Sequence, residues 1–385
     1  MNLDELILSR KLVVCCGSGG VGKTTTSAAI ALNGAASGKR TLVITIDPAK
    51  RLAQSLGLDR LDDEERRVPL EKLTGVPWRG ELFAAMLDTQ ASFDALIRRV
   101  CRDDSQVRRI LGSKIYRHMT TAIAGSQEYV AMERLYYLMR EGRYDLVVLD
   151  TPPTKNALDF LSAPNRLASF LDDNVVKWFV QPQKAGMGLK LLLKGRDVVF
   201  KLMAVLLGDQ LVHELTEFFD AFSDLTSGFR ERAEKVGMLL RSPETVFVLV
   251  TSAEKNALGE ATAFSKRLVE AAIPLKAVVI NRAWEPLAEG PGMEELARLI
   301  REENLWTNFE QEHLDQAAER LLGKVGEWQS LMRQVNQAAK QNVEKLRESL
   351  GSNPIFATVP MFSEDIHDIQ GLVKMNRYLF SPHGS

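Results

Sequence analysis

The chain of 385 residues is 45% hydrophobic and carries 49 basic against 50 acidic side chains, which excludes a global basic field for nucleic acid. Its three cysteines exclude a disulfide scaffold and favour a reducing compartment. The amino-terminal residues lack the features of a signal peptide, and no run of about 18 apolar residues predicts a membrane-spanning helix. We expect a cytoplasmic protein with a large core in one or two domains and no nucleic-acid partner.

A glycine-rich loop follows the first predicted strand, 12–16, and opens a predicted helix that ends at Gly38. This context is typical of a phosphate-binding loop, in which backbone N–H groups and a helix N-terminus surround phosphate oxygens. We predict that Lys23 reaches the β- and γ-phosphates and acts in catalysis, and that the Thr24 hydroxyl binds Mg²⁺. The predicted nucleotide-binding residues are Gly17, Ser18, Gly19, Gly20, Val21, Gly22, Lys23, Thr24 and Thr25.

Two further predicted strands have an aspartate at their carboxyl end. The strand 40–46 is followed by Asp47, and the strand 144–150 ends on Asp150. Acidic residues at the carboxyl ends of strands point into the crevice where α/β sheets bind ligands. Asp47 is short and strand-terminal, so we predict that it positions a water molecule in line with the γ-phosphate and is catalytic. Asp150 is predicted to hold Mg²⁺ through a water molecule.

The middle of the chain is predicted to be mainly helical. Residues 59–80 indicate an exposed loop and 82–87 a strand, and helical patterning follows from about 91 to 142, with breaks near Gly112 and Gly125. Within 155–240, apolar, Met-containing and basic stretches allow two interpretations, an ordinary helical core or an apolar groove for a client. The candidate groove residues are Met187, Leu191, Leu192, Phe200, Met203 and Leu206.

The carboxyl-terminal third returns to strands at 244–250, 275–280 and 355–359. Asn281 and Arg282 end the second of these strands and are a candidate base-recognition pair, because the Asn amide is suited to recognise adenine. An acidic insert, 283–306, a long polar helix, 308–349, and a closing helix, 364–379, complete the pattern. Strands that alternate with helices predict an α/β fold with a doubly wound, mostly parallel sheet. We predict a nucleotide-binding domain and an inserted α-helical subdomain, formed respectively by 1–87, 144–154 and 241–385, and by 88–143 and 155–240.

In this order the motifs resemble the ArsA-type ATPases, which include arsenite-pump ATPases, tail-anchored-protein targeting ATPases and bacterial homologues. Gly17–Thr24 is similar to the phosphate loop of the deviant Walker class. The run Asp47-Pro48-Ala49 is similar to the first switch, and Asp150-Thr151-Pro152-Pro153-Thr154 to the second. The resemblance implies a nucleotide-switched dimer that hydrolyses ATP with Mg²⁺, in which Asp47 orients the attacking water, and it implies adenine contacts at Asn281 and Pro360.

Three departures from the family pattern bear on function. Ser18 stands where the deviant class has a lysine that reaches the partner's nucleotide. Both a homodimer and a heterodimer with a related subunit are therefore compatible with the sequence. We expect slow basal turnover. The stretch after Asn281 lacks the Cys-x-x-Cys of a dimer-bridging zinc site, so we predict no zinc. Cys15, Cys16 and Cys101 show no arrangement for thiol-mediated arsenite binding.

Three functions therefore compete. The favoured one is a switch that binds apolar segments of client proteins or membrane proteins through the helical subdomain, with membrane association through a partner. The alternatives are the catalytic subunit that energises an anion or arsenite transporter, and a regulatory ATPase for positioning or signalling.

Overall fold

The computed structural model places the strands of the chain in one sheet. It describes residues 1–47, 51–72, 78–113, 115–117, 126–152, 214–215, 218, 226–273, 275–283, 298, 311–351 and 354–380. The strands are β1 (Leu12–Cys16), β2 (Arg40–Thr45), β3 (Arg66–Arg67), β4 (Glu81–Met86), β5 (Leu146–Asp150), β6 (Thr245–Ser252), β7 (Leu275–Ala283) and β8 (Ile355–Pro360). The α-helices are α1 (Leu3–Leu8), α2 (Lys23–Ala36), α3 (Arg51–Ser55), α4 (Thr89–Val100), α5 (Asp104–Gly112), α6 (Ser126–Glu141), α7 (Thr226–Arg241), α8 (Lys255–Glu270), α9 (Gln311–Leu350) and α10 (Ile369–Leu379).

The order of the strands places the glycine-rich loop at the centre of the sheet. Within the described residues the order is β3-β4-β2-β5-β1-β6-β7-β8. The neighbouring strands are parallel except for β3 and β4, which are antiparallel. Because β1 lies between β5 and β6, the loop that follows β1 is at the middle of the carboxyl edge. Open parallel sheets bind their ligands at this edge.

Helices cover both faces of the sheet. Strands β1, β5 and β6 are buried along their whole length, as expected of parallel strands between two helical layers. Helices α1, α2, α3 and α10 pack on one face in a cluster that includes Val13, Ile30 and Leu372. Helices α4 to α9 pack on the other face, where Leu149 and Phe93 belong to a second cluster. The predicted doubly wound α/β fold is therefore confirmed.

The helices α4, α5 and α6 contribute Leu96, Ile110 and Leu135 to the second cluster. They show a break at 101–103 that the sequence pattern did not predict, where Asp103 accepts a hydrogen bond from the Gln106 N–H and caps α5. The boundaries of the helical subdomain stay a prediction, since most of 155–240 lies outside the described residues. The six groove residues also lie outside them: Met187, Leu191, Leu192, Phe200, Met203 and Leu206.

The segment 59–80 is not the exposed loop that its charges predicted. It contains β3, which pairs with β4, and a 3₁₀ turn at Leu70–Lys72. Leu61, Val68 and Leu70 are buried beside the edge of the sheet. The prediction was wrong because the charged residues dominate the composition, whereas these separated apolar residues decide how the segment packs.

The two ends of the described chain are helical, with boundaries set by capping residues. Asn2 and Glu5 form a capping box at the start of α1, a helix that the sequence pattern did not predict. The closing helix α10 begins at Ile369 instead of 364, because the Asp368 carboxylate accepts a hydrogen bond from the Gly371 N–H. Among the described helices, none is long and apolar enough to cross a membrane.

Candidate active site

Two glycines of the phosphate loop, Gly17 and Gly22, cannot be replaced by another residue without strain. Gly17 has φ +151°, and a Cβ added there would lie 2.1 Å from the Val250 carbonyl oxygen of β6. Gly22 has φ +91°, and a Cβ there would lie 2.2 Å from Nδ2 of Asn281 at the end of β7. The left-handed conformation and the close contacts both require glycine. The loop is thus wedged between the carboxyl ends of two strands.

The end of β7 holds the loop through side chains. Asn281 Nδ2 donates a hydrogen bond to the Val21 carbonyl at 2.9 Å, and Arg282 Nη1 donates to the Gly20 carbonyl at 3.4 Å. Arg282 has φ +54°, which is uncommon for a residue with a side chain. The structure thus places Asn281 beside the phosphate loop, and its contact with adenine stays a prediction.

Lys23 is buried at the start of α2, with 6% of its surface exposed. Its ammonium donates a hydrogen bond to the Ser18 carbonyl at 2.7 Å, so the lysine bends over its own loop. Burial lowers the pKa of Lys23, and the carboxylates of Asp150 and Asp47 oppose this shift. The side chain therefore brings a poorly solvated positive charge to the place where the loop would bind phosphates.

A chain of hydrogen bonds joins the phosphate loop to the ends of β2 and β5. Oδ2 of Asp150 accepts from Thr24 Oγ1 at 2.8 Å and from Thr45 Oγ1 at 2.9 Å. The Asp47 N–H in turn donates to Thr45 Oγ1 at 3.1 Å. The phosphate loop ends at Thr24, and the other two predicted motifs begin at Asp47 and Asp150. One hydrogen-bond network thus joins all three motifs.

The second oxygen of Asp150 is buried and has no hydrogen-bond partner among the residues that the structure describes. Desolvation raises the pKa of Asp150 to about 6, although the hydroxyls of Thr24 and Thr45 and the Lys23 charge oppose the shift. Thr24 donates its hydroxyl hydrogen to Asp150, which leaves the oxygen lone pairs of Thr24 free to bind a cation. An unpaired anionic oxygen next to a free hydroxyl oxygen fits a hard divalent cation such as Mg²⁺.

A cleft of about 690 Å³ opens above this network. Of the predicted site residues, Gly20, Gly22, Lys23, Thr24, Thr25, Asp47, Asn281 and Pro360 line it. Gly17, Ser18, Gly19, Val21 and Asp150 are not among its lining residues. Pro48 and Ala49 of the first predicted switch, and Pro153 and Thr154 of the second, lie outside the described residues.

The chain is similar to known ATPases over most of its length. A family model described as anion-transporting ATPase matches residues 10–319.

The chain belongs to the anion-transporting ATPase family.

Curated relatives agree with this family assignment. A protein of Aquifex aeolicus, provisionally named arsenical pump-driving ATPase 1, is 27% identical over 71% of this chain and 63% of its own length. ATPase GET3B of Arabidopsis thaliana is 27% identical over 74% of this chain and 67% of its own. ATPase GET3 of Malassezia globosa is 25% identical over 72% of this chain and 74% of its own. The match to the Aquifex protein spans less than two thirds of it. Membership in the family supports ATP hydrolysis.

The sequence interpretation missed several residues of this family member's site. Thr45 links Asp47 to Asp150, and the only signal for it was a hydroxyl in an otherwise apolar strand. Arg282 was predicted with Asn281 as a base-recognition pair, but its direct contact with the loop was not predicted. Further cleft residues come from α3 and from the segment between β8 and α10, where no motif marked them. They are Arg51, Gln54, Ser55, Met361, Phe362, Glu364, Asp365, Ile366 and His367.

Replacing Asp150 by Asn is expected to stabilise the nucleotide-free protein at neutral pH. The folded protein keeps the Asp150 proton up to about pH 6, whereas the unfolded chain releases it near the ordinary value of 3.8. The buried charge therefore lowers stability as pH rises from about 4 to about 6, by at most about 3 kcal/mol. An amide has no such charge. The variant should unfold at a higher temperature than the parent at neutral pH, and the difference should shrink toward pH 4.

Thermal unfolding across this pH range checks the expectation. Asp59→Asn, which changes an exposed carboxylate, controls for the loss of one negative charge. An Asp150→Asn variant that unfolds at a lower temperature than the parent at neutral pH would show that the ionised carboxylate stabilises the empty site.

Proposed function

We propose that the chain is a Mg²⁺-dependent ATPase that works as a nucleotide-controlled switch. The observation that carries the proposal is the hydrogen-bond network from Thr24 through Asp150 and Thr45 to Asp47. It ties the phosphate loop to the two strand ends that the family uses as switches. A change at the terminal phosphate would therefore act on both switch segments together.

The residues of the cleft would have different roles in hydrolysis. The loop N–H groups and Lys23 bind and neutralise the phosphates, whose charge would replace the Ser18 carbonyl as partner of the lysine. Thr24 would ligate Mg²⁺ directly and Asp150 through a water molecule, and the ion would neutralise negative charge on the phosphates. Asp47, at the end of β2, would orient the attacking water.

The second part of the proposal is a client with an apolar segment. The resemblance to targeting ATPases supports it, as do the Met-containing sequences within 155–240 that are predicted to be helical. The chain runs directly from Thr151 into these stretches, and the Thr151 hydroxyl donates to the Cys15 carbonyl of β1 at 2.9 Å. A change of conformation at this strand end would therefore reach the segment that follows it in the chain. We also propose a dimer, with itself or a related subunit, and a cytoplasmic location with membrane association through a partner.

A transporter subunit that responds to arsenite is the second candidate, since one relative is named for an arsenical pump. The thiols argue against it. Cys15 and Cys16 are fully buried on β1, and burial raises the pKa of Cys15 to about 12 and that of Cys16 well above its ordinary value. Because the thiolate is the form that binds such ligands, these two side chains are poor candidates for binding arsenite. Cys101 lies apart from them in sequence, after α4.

Steady-state ATP hydrolysis by the purified full chain tests the proposal. We expect slow turnover that requires Mg²⁺, because Ser18 brings no charge to a partner's nucleotide. A peptide that forms an apolar helix should change the rate of hydrolysis. A polar peptide with the same net charge should not change it, and neither should arsenite. Absence of hydrolysis at any Mg²⁺ concentration would refute the ATPase. Stimulation by arsenite alone would favour the transporter subunit, and indifference to both ligands would favour the regulatory ATPase.

A further inference from the structure

A dense group of arginines covers one part of the surface. Between residues 98 and 117 the sequence has seven basic and two acidic residues, although the whole chain is close to neutral. Six of these basic residues are described, and all six are exposed. We call them the arginine surface: Arg98, Arg99, Arg102, Arg108, Arg109 and Arg117.

Four residues of the arginine surface lie on the outer sides of two packed helices, α4 and α5. On α4, Phe93, Leu96 and Ile97 are buried, and on α5, Val107 and Ile110 are buried. Arg98 and Arg99 occupy an exposed side of α4, Arg108 and Arg109 occupy one of α5, and Arg102 and Arg117 lie outside the two helices. The fold therefore does not require these positive charges for packing, and it presents them together to the outside.

The two acidic residues within this segment balance only part of its positive charge, although the Asp103 carboxylate interacts electrostatically with Arg109. Asp103 caps α5 by accepting hydrogen bonds from the Gln106 N–H and the Ser105 hydroxyl. These bonds lower the pKa of Asp103 and turn its carboxylate toward the helix start. Asp104 follows in the first turn of α5, where a negative charge interacts favourably with the helix dipole.

The surface begins at the end of the molecule that is opposite to the nucleotide cleft. The Arg99 guanidinium stacks on the ring of Tyr137, 3.7 Å from its centre. Tyr137 is near the end of α6, the helix that leads into the amino end of β5. The cleft is at the carboxyl ends of the strands. Arg99 therefore lies at the edge of the sheet that is opposite to the cleft.

We propose that the arginine surface docks the protein on the anionic headgroups of a phospholipid membrane. Guanidinium groups bind phosphate oxygens through two parallel hydrogen bonds, and clustered basic residues are attracted by anionic lipids. The described part of this segment has no large exposed apolar side chain, so binding is electrostatic and without insertion. The proposal rests on the proposed function, because a switch that delivers apolar clients works at a membrane.

RNA is less suited to this surface than a membrane. Proteins that bind single-stranded RNA stack bases on exposed aromatic rings. Here Phe93 and Tyr116 are buried, and Tyr137 is covered by Arg99. Within the described residues of this region no free ring remains for a base.

Co-sedimentation of the full chain with vesicles tests the proposal. One set of vesicles contains phosphatidylglycerol in phosphatidylcholine, and the other contains phosphatidylcholine alone. The protein should bind only the anionic vesicles, and high salt should release it. The triple variant Arg98→Gln, Arg108→Gln, Arg109→Gln should bind at least about tenfold more weakly, since each basic residue near an anionic surface adds to the affinity.

A matched triple variant on α9 separates this surface from total charge. Arg320→Gln, Arg333→Gln, Lys340→Gln removes the same charge from another exposed helix and should bind vesicles like the parent. Equal binding by the two triple variants, or binding to neutral vesicles, would overturn the proposal. Tighter binding to an RNA oligonucleotide than to anionic vesicles, lost in the first variant, would assign the surface to RNA instead. Equal unfolding temperatures establish that all forms are folded.

The vesicle assay contains no nucleotide, so its outcome is independent of the ATPase. A protein that hydrolyses ATP and ignores anionic vesicles would refute only the docking surface. A protein that binds vesicles through these arginines without hydrolysing ATP would refute only the proposed function.

Discussion

An Asp47→Asn variant is expected to bind ATP as well as the parent and to lose turnover by about two orders of magnitude or more. Asp47 lines the cleft at the end of β2, and its backbone N–H is held by Thr45 Oγ1 at 3.1 Å. This bond should survive in the variant, since it involves only main-chain atoms of residue 47. The change therefore removes a negative oxygen without moving the strand end, and the loss falls on the positioning of water.

Single-turnover hydrolysis and equilibrium binding of an ATP analogue measure the two effects separately. Asp88→Asn is the matched control, because Asp88 also follows a strand, β4, but caps α4 by accepting from the Ala91 N–H and does not line the cleft. Since Asn caps helices about as well as Asp, this control should keep both activities. Hydrolysis by Asp47→Asn at the rate of the parent would show that the water is oriented by another group.

A Lys23→Ala variant is expected to lose both nucleotide affinity and turnover, each by about two orders of magnitude. The ammonium is buried and lies over the loop, 2.7 Å from the Ser18 carbonyl. Phosphates that enter the loop would meet this charge in surroundings from which water is largely excluded, where its attraction is strong. Without it, Asp47 and Asp150 would leave the site with uncompensated negative charge.

Lys39→Ala provides the control for loss of a partly buried lysine. Lys39 lies at the amino end of β2, at the opposite edge of the sheet, and burial lowers its pKa as it does for Lys23. Nucleotide affinity should be unchanged in this variant. Titration with a fluorescent ATP analogue measures the nucleotide affinity of both variants. If the affinity of Lys23→Ala were within a few fold of that of the parent, the loop N–H groups alone would bind the phosphates.

The prediction of the strands and of the phosphate loop from sequence has a local physical basis. Strands buried on both faces must be apolar along their length, so β1, β5 and β6 appear as continuous apolar runs. The loop can be recognised in the sequence because phosphate binding requires its glycines, lysine and threonine at a fixed spacing. The same approach gave a wrong prediction for the segment 59–80, because the burial of this segment depends on its pairing with another strand, β4.

The fold class, the phosphate loop and the two strand-terminal aspartates could be predicted from the sequence, because each depends on neighbouring residues. Which side chains contact one another could not, because these contacts join distant parts of the chain. Thr24 and Thr45 bind one oxygen of Asp150 from 126 and 105 residues away, and Asn281 reaches the Val21 carbonyl across 260 residues. Such contacts arise from the order of the strands in the sheet. The arginines of α4 and α5 are visible in the sequence, but their common exposure follows from the packing of the apolar sides beneath them.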